Sequence, residues 1–257
     1  MNPPLEAIGK ALARYLAREV TDHGLTRPTP LPLLRAALRP GDVLLVEGYS
    51  RISTAIKYLT QSSWSHAALF VGDHLAEAGG NPEHCIVEAD TLDGVRSAGL
   101  EQIAAYPSRI CRPIGLDEDA RHKVTGYAIG RIGNRYDLRN IFDLARYLLP
   151  TVPVPSRFRR RLIGLGSGDP TQAICSTLIA QAFEAIRYPI LPHYEIVDAD
   201  SPDCPMCAEE ILHQRHHSLY TPRDFDVSPY FSVVKPTLEA GFNHRSLVWA
   251  GAPVVDY

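Results

Sequence analysis

Three polar residues stand in apolar surroundings, and together their types suit acyl transfer. Cys175 lies at the N-terminal edge of a helical stripe, Leu178, Ile179, Ala182, Phe183 and Ile186. A free thiol has a pKa near ~8.5, and the unpaired N–H groups and partial positive charge of a helix N-terminus favour its thiolate. The preceding loop, Gly164 to Pro170, is glycine-rich enough to leave the sulfur accessible. His66 begins an otherwise apolar run, His66-Ala67-Ala68-Leu69-Phe70-Val71, directly after Ser62-Ser63-Trp64-Ser65. Glu88 interrupts Cys85-Ile86-Val87-Glu88-Ala89, where a carboxylate buried without a partner is costly. Singly, each has a structural reading, the cysteine as a small buried hydrophobe and the histidine as a core side chain. If the two runs pair as a hairpin, His66 and Glu88 share a face. The carboxylate then orients the imidazole, and a Cys–His–Glu triad accounts for all three residues.

A second group of ligand-type residues is Cys204-Pro205-Met206-Cys207, followed by His213, His216 and His217. Cys-x2-Cys with later histidines has zinc-like ligand types. The interval to His213 is short, however, and the histidines are expected on a helix that would have to fold back on its own loop. The expectation is therefore no metal and no organic cofactor, with Cys204, Cys207 and His213 the weak candidates. Their segment reads instead as a polar insertion near the cleft. Cys85 and Cys111 fall in strand-like runs and read as core.

The elements that must position the trio follow from hydrophobic period and turn signals. Leu5, Ile8, Leu12 and Leu16 have helical spacing, either packing on the domain or lying on a membrane surface. Thr26 to Pro32 reads as a proline-rich linker. Pro40-Gly41-Asp42 turns the chain into a short buried strand, Val43 to Val46. A helical stretch from Ser53 to Gln61 precedes the His66 strand, which ends at Gly72-Asp73. Cys85 to Ala89 and Ser108 to Ile114 are further strands. Their connections are too short for helical crossovers, so antiparallel pairing as a meander is expected. Helices follow at Asp117 to Gly130, Asp137 to Leu149 and from Cys175 to the stop at Tyr188-Pro189. Pro150 to Pro170 carries the basic run Arg157-Phe158-Arg159-Arg160-Arg161, either a solvated loop or a contact for anionic lipid or phosphate.

The chain has 257 residues, 45% hydrophobic and 21% charged, which is ordinary globular usage. A formal net charge of −3 argues against nucleic-acid binding. No apolar run approaches the ~18–20 residues that span a bilayer. The start, Met-Asn-Pro-Pro-Leu-Glu, lacks the basic and apolar regions of a secretory signal. Five cysteines, an odd number, read as reduced thiols. A cytoplasmic protein without a transmembrane segment is expected, peripheral membrane contact staying open.

In this order the motifs resemble a known group. Pro40-Gly41-Asp42-Val43-Leu44-Leu45, Trp64-Ser65-His66-Ala67-Ala68-Leu69-Phe70-Val71-Gly72, Val87-Glu88-Ala89, Gly94-Val95, Gly133-Asn134-Arg135-Tyr136-Asp137 and Ile174-Cys175-Ser176-Thr177-Leu178-Ile179 are similar to those of the circularly permuted NlpC-type papain-like hydrolases. These are the YiiX/YebB-like proteins, distant relatives of lecithin retinol acyltransferase. The permuted branch places the histidine strand before the cysteine helix, as here. The resemblance covers about Leu38 to Phe231, including Thr221-Pro222-Arg223-Asp224-Phe225, which is like the group's late Thr-Pro motif. It implies an α+β, permuted papain-like fold, an antiparallel sheet or half-barrel packed against helices, with the nucleophile at a helix N-terminus. It also implies Cys175 as nucleophile, His66 as base, Glu88 as orienting group and Tyr136 as an oxyanion or substrate contact. The acyltransferase relatives carry Asn-Cys-Glu-His where this chain has Ile174-Cys175-Ser176-Thr177. Residues 1–37 read as a helical extension and linker, 38–231 as the hydrolase domain and 232–257 as a C-terminal extension. The implied substrate is a small-molecule, peptide or lipid acyl compound. The rival reading is a non-catalytic papain-like binding or scaffold module.

Overall fold

The proline-rich stretch gives way to structure sooner than expected. Helix α1 (Leu31–Ala37) carries a proline in its first turn, where the missing N–H costs nothing, and it buries Leu34. The Pro40-Gly41-Asp42 turn follows. Gly41 has φ +91°, a left-handed value that glycine adopts without steric cost, and Asp42 accepts the Arg39 N–H at 2.9 Å. The turn delivers the chain into β1 (Val43–Val46), buried along its whole length. These elements come from a computed structural model, which describes residues 15, 18, 19, 27–90, 93–134, 174–198 and 208–246. The helices expected at Leu5 to Val20 and Asp137 to Leu149, and the loop from Pro150 to Pro170, fall almost wholly outside those residues.

Helix α2 (Arg51–Thr60) is capped by Ser50, whose hydroxyl accepts the Ser53 N–H at 3.1 Å. Next come β2 (His66–Phe70), the single-turn helix α3 (His74–Glu77), β3 (Ile86–Asp90), β4 (Gly94–Ala98), the single-turn helix α4 (Glu101–Ala104) and β5 (Ser108–Pro113). With β8 (Phe231–Val234) they form a six-stranded sheet of order β4-β3-β2-β1-β5-β8. Every neighbouring pair is antiparallel.

Strands β1, β2 and β3 pair antiparallel in succession as expected, and β4 continues that meander, but β5 does not extend it. It returns to the free edge of β1, with Val43 opposite Cys111 and Leu44 opposite Ile110. A buried ion pair locks that register. Arg112 Nε and Nη2 donate to the two Asp42 oxygens at 3.0 and 2.8 Å. Strand β4 was not anticipated as an element, because its half-buried Arg96 and Ser97 dilute the apolar signal.

Helix α5 (Glu118–Ile129) begins at Asp117, which accepts the Ala120 N–H at 2.8 Å. Helix α6 (Ile174–Glu184) carries Cys175. It ends before Tyr188-Pro189, because Arg187 turns left-handed at φ +57°. The Tyr188 N–H then bonds the Phe183 carbonyl at 3.0 Å and the Arg187 N–H that of Glu184 at 2.9 Å, a Schellman closure.

Alternation along the strands divides the core into two layers. Val43, Leu45, Ala67, Leu69 and Val87 face Leu178, Ile179, Ala182 and Phe183 of α6 and Val124 of α5. Leu44, Val46, Ala68, Phe70 and Ile86 face Leu34 and Ile103 on the other side. Full burial of each large apolar side chain contributes about 1.5–3 kcal/mol, so the stripe on α6 is sufficient reason for its docking.

Strands β6 (His193–Asp198) and β7 (Ala208–His213) form a separate hairpin, with His193 opposite His213. The histidines expected on a helix are therefore placed differently. His213 closes a strand and His217 opens a single 3-10 turn, so neither lies on an α-helix. Helices α7 (Pro222–Asp226) and α8 (Pro236–Glu239) flank β8. No described helix is long and apolar enough to cross a membrane.

Candidate active site

His66 is the first residue of β2, and the β2–β3 register sets Ala68 opposite Glu88. His66 is therefore a diagonal neighbour of Glu88 on one face, within reach of long side chains. Its Nε2 lies 2.7 Å from Glu88 Oε2. Across the next ladder Arg96 faces Glu88 directly, with Nε at 3.0 Å and Nη2 at 2.8 Å from Oε1. A row of Arg96, Glu88 and His66 thus crosses three strands. Glu88 is 6% exposed, and a carboxylate so buried persists only when paired. Burial pushes its pKa up, but the hydrogen bond and charge of His66, followed by those of Arg96, outweigh burial and hold it down to about 2.

Cys175 is the second residue of α6, which packs over β2 and β3. The β2–β3 ladder stops at Ala68 and Glu88. The Ala67 N–H, next along that edge, helps stabilise the Cys175 thiolate. The sulfur stands beside the His66 ring. Since Glu88 engages Nε2, the nitrogen left for the thiol is Nδ1.

The electrostatics of the pair follow. Burial disfavours the Cys175 thiolate, yet the charge and hydrogen bond of His66 lower its pKa below the ordinary thiol value, aided by the Ala67 N–H and the Ser176 hydroxyl. Burial likewise disfavours the imidazolium. The Cys175 thiolate, and after it Glu88, override burial and push the His66 pKa up to about 10. Cys175 is only 5% exposed, whereas 29% of the His66 side chain meets solvent, so the pair is approached along the imidazole edge.

The loop leading into His66 is held from a distant part of the chain. Thr221 and Asp224 form a capping box at the start of α7. That helix presents Asp226, which accepts the Trp64 indole N–H at 2.9 Å and pairs with Arg109. The Thr-Pro segment thereby positions the loop two residues ahead of His66.

The trio singled out in the sequence is brought together. Arg96 and Asp226 were not anticipated. The signal for Arg96 was its place in Gly94-Val95-Arg96, just beyond the turn that follows Glu88. Asp226 left no local signal, being 162 residues from Trp64. Tyr136, Cys204 and Cys207 lie outside the described residues. His213 pairs with Glu195 at 3.1 Å on the hairpin, and His217 with Glu184 at the far end of α6 from Cys175.

Residues 37–147 match the model of a family described as permuted papain-like amidase enzyme, YaeF/YiiX, C92 family. The matched stretch contains His66, Glu88 and Arg96 and ends before Cys175. A protein of Escherichia coli (strain K12) named Probable lipoprotein peptidase YaeF is 25% identical over 170 residues, 60% of this chain and 58% of that protein. This chain thus spans less than two thirds of that relative. A crystal structure of metalloprotein YiiX from Escherichia coli O157:H7 aligns with 77% of this chain and 97% of its own, at 16% identity and a TM-score of 0.45. The family match agrees with the resemblance over residues 37–147, which hold the His66 strand and Glu88, and stops short of the Ile174–Ile179 and Thr221–Phe225 motifs. The fold class holds as well, an α+β arrangement with an antiparallel sheet on helices and the histidine strand before the cysteine helix.

Proposed function

We propose that this permuted papain-like protein is a cysteine hydrolase that cleaves an amide bond, with Cys175 as nucleophile, His66 as general base and acid, and Glu88 as the group that orients the imidazole. The observation that carries this reading is the coupling of the trio. Thiol and imidazole move each other's pKa in opposite directions, and a buried carboxylate holds the far ring nitrogen. Such a pair is a preformed thiolate–imidazolium.

The thiolate adds to the carbonyl carbon, forming a C–S bond. Imidazolium then gives its proton to the leaving nitrogen as the C–N bond breaks, which leaves a thioester. Water attacks the thioester while neutral His66 takes its proton. The acid departs, the thiolate is restored and the proton stays on His66. The backbone N–H of Cys175 is the proposed oxyanion donor, with Tyr136 a second candidate. No step calls for a metal or an organic cofactor. The description of the matched family as an amidase, and of the curated relative as a lipoprotein peptidase, supports a peptide-like substrate. Lipid ester or thioester cleavage would use the same steps.

The test is alkylation of Cys175 by iodoacetamide against pH, followed by peptide-resolved mass spectrometry, in the wild type and in His66→Ala. An ion pair gives fast labelling that persists well below pH 7 and is lost with the imidazole. Labelling that rises through pH ~8.5 in both proteins, as for a free thiol, would refute the enzyme reading.

A further inference from the structure

Beyond the end of β2 remote from Cys175, three ligand-type side chains converge. His74 and Glu77 lie on α3 and His122 on α5, and one ligand atom of each falls within 4.8 Å of the others. The two imidazoles stack, with centroids 3.9 Å apart and planes at 18°.

The hydrogen bonding behind His74 gives the cluster its direction. His74 Nδ1 is 2.8 Å from the Thr125 hydroxyl, which is fully buried. That hydroxyl has one proton, and two carbonyls are placed to accept it, Arg121 at 2.9 Å and His122 at 3.2 Å. Thr125 therefore accepts from His74 Nδ1–H, which leaves the lone pair on Nε2. A ring held through its far N–H by a fixed acceptor is the outer-shell arrangement of metal-binding histidines.

We propose that His74, Glu77 and His122 form a zinc site that clamps α3 to α5, with water in the fourth position. Two imidazoles and a carboxylate suit Zn²⁺, whereas Mg²⁺ and Ca²⁺ prefer all-oxygen sets. Zinc binds these atoms at about 2.0–2.2 Å, which sets neighbouring ligands roughly 3.4 Å apart. His122 and Glu77 are exposed, so side-chain rotation closes the remaining gap. Glu118, 3.6 Å from His122 Nε2, is the neighbouring carboxylate that competes for that ring or joins the site. The clamp would brace the connection between β2 and β3, the strands carrying His66 and Glu88, without touching the reacting atoms.

Zinc binding is measured by calorimetry on the metal-stripped full chain, with Tm followed against Zn²⁺ concentration, in the wild type, His122→Gln and Glu77→Gln. Both substituted side chains are exposed, so the stripped variants should melt as the wild type does. The expected result is the loss of one zinc equivalent in each variant, together with the zinc-dependent rise in Tm. Co²⁺ substitution separates this site from any cysteine site. The equivalent lost in His122→Gln should carry d–d absorption without thiolate charge transfer. A wild type that binds no zinc, equal stoichiometry in all three proteins, or a lost equivalent bearing the thiolate band would overturn the proposal.

Discussion

Glu88 and Arg96 face each other across the β3–β4 ladder, and the guanidinium takes the carboxylate oxygen that His66 leaves free. One buried anion is thus shared between two cations on opposite sides. Its charge survives burial because both contacts are short and hydrogen-bonded.

Replacing Glu88 with glutamine keeps the shape and removes the charge. The amide can still meet His66 Nε2, but it no longer stabilises the imidazolium. We expect the labelling midpoint of Cys175 to rise by about one pH unit or more, equivalent to ~1.4 kcal/mol per unit. Turnover should fall on the order of 10²-fold. Iodoacetamide labelling against pH checks the first effect, and an unmoved midpoint would remove Glu88 from the proposed triad.

Arg96 acts through Glu88, so its removal should be milder. Arg96→Gln is expected to move the labelling midpoint in the same direction as Glu88→Gln but by less. Arg96→Lys should fall between Arg96→Gln and the wild type, because a lysine cannot reproduce the planar fork. The same labelling series ranks the three variants. A midpoint in Arg96→Gln equal to that of the wild type would make the residue merely structural.

The protonation of the pair predicts the pH dependence of stability. His66 is raised from 6.5 to about 10, so its contribution is complete below pH 6.5 and is lost as pH climbs towards 10. Cys175 is lowered from 9.0, so its contribution is complete above pH 9 and is lost as pH falls. Between those values the unfolded chain and the folded ion pair each hold one proton on the two groups, and the opposing slopes cancel. Stability due to the pair should be level from about pH 6.5 to 9 and decline on either side. Glu88, lowered from 4.5 to about 2, adds an acid limb lost as pH falls through that interval. Urea unfolding across pH should show this profile, and Cys175→Ser should lose the level region. Parallel curves for the two proteins would contradict the ion pair.

The fold has its own buried pair to test. Asp42 is 1% exposed and receives the Arg112 fork and the Arg39 N–H. Asp42→Asn leaves the guanidinium without its counter-charge and should cost about 3–5 kcal/mol. A lowered urea midpoint, with Cys175 labelling unchanged in the protein that remains folded, is the expected outcome. A loss below about 1 kcal/mol, the value of a surface pair, would show that the site is wetter than its burial implies.

Local pattern in the sequence determined much of this protein. Apolar runs with turn residues at their ends mark β1, β2 and β3, and a 3.6-residue stripe marks α6. Both signals depend only on which face each residue presents to the core. The contact of His66 with Glu88 was legible for a related reason. The two lie in successive strands, and alternation alone restricts which side chains can share a face. Tertiary structure decided the rest. The return of β5 to β1 rests on the fork of Arg112 around Asp42, a contact between residues 70 positions apart. The meeting of Cys175 with His66 depends on how α6 docks on β2 and β3. Periodicity carries no information on either, because it describes one element at a time. Register and docking are properties of pairs of elements, settled by burial and by the need of each buried polar group for a partner.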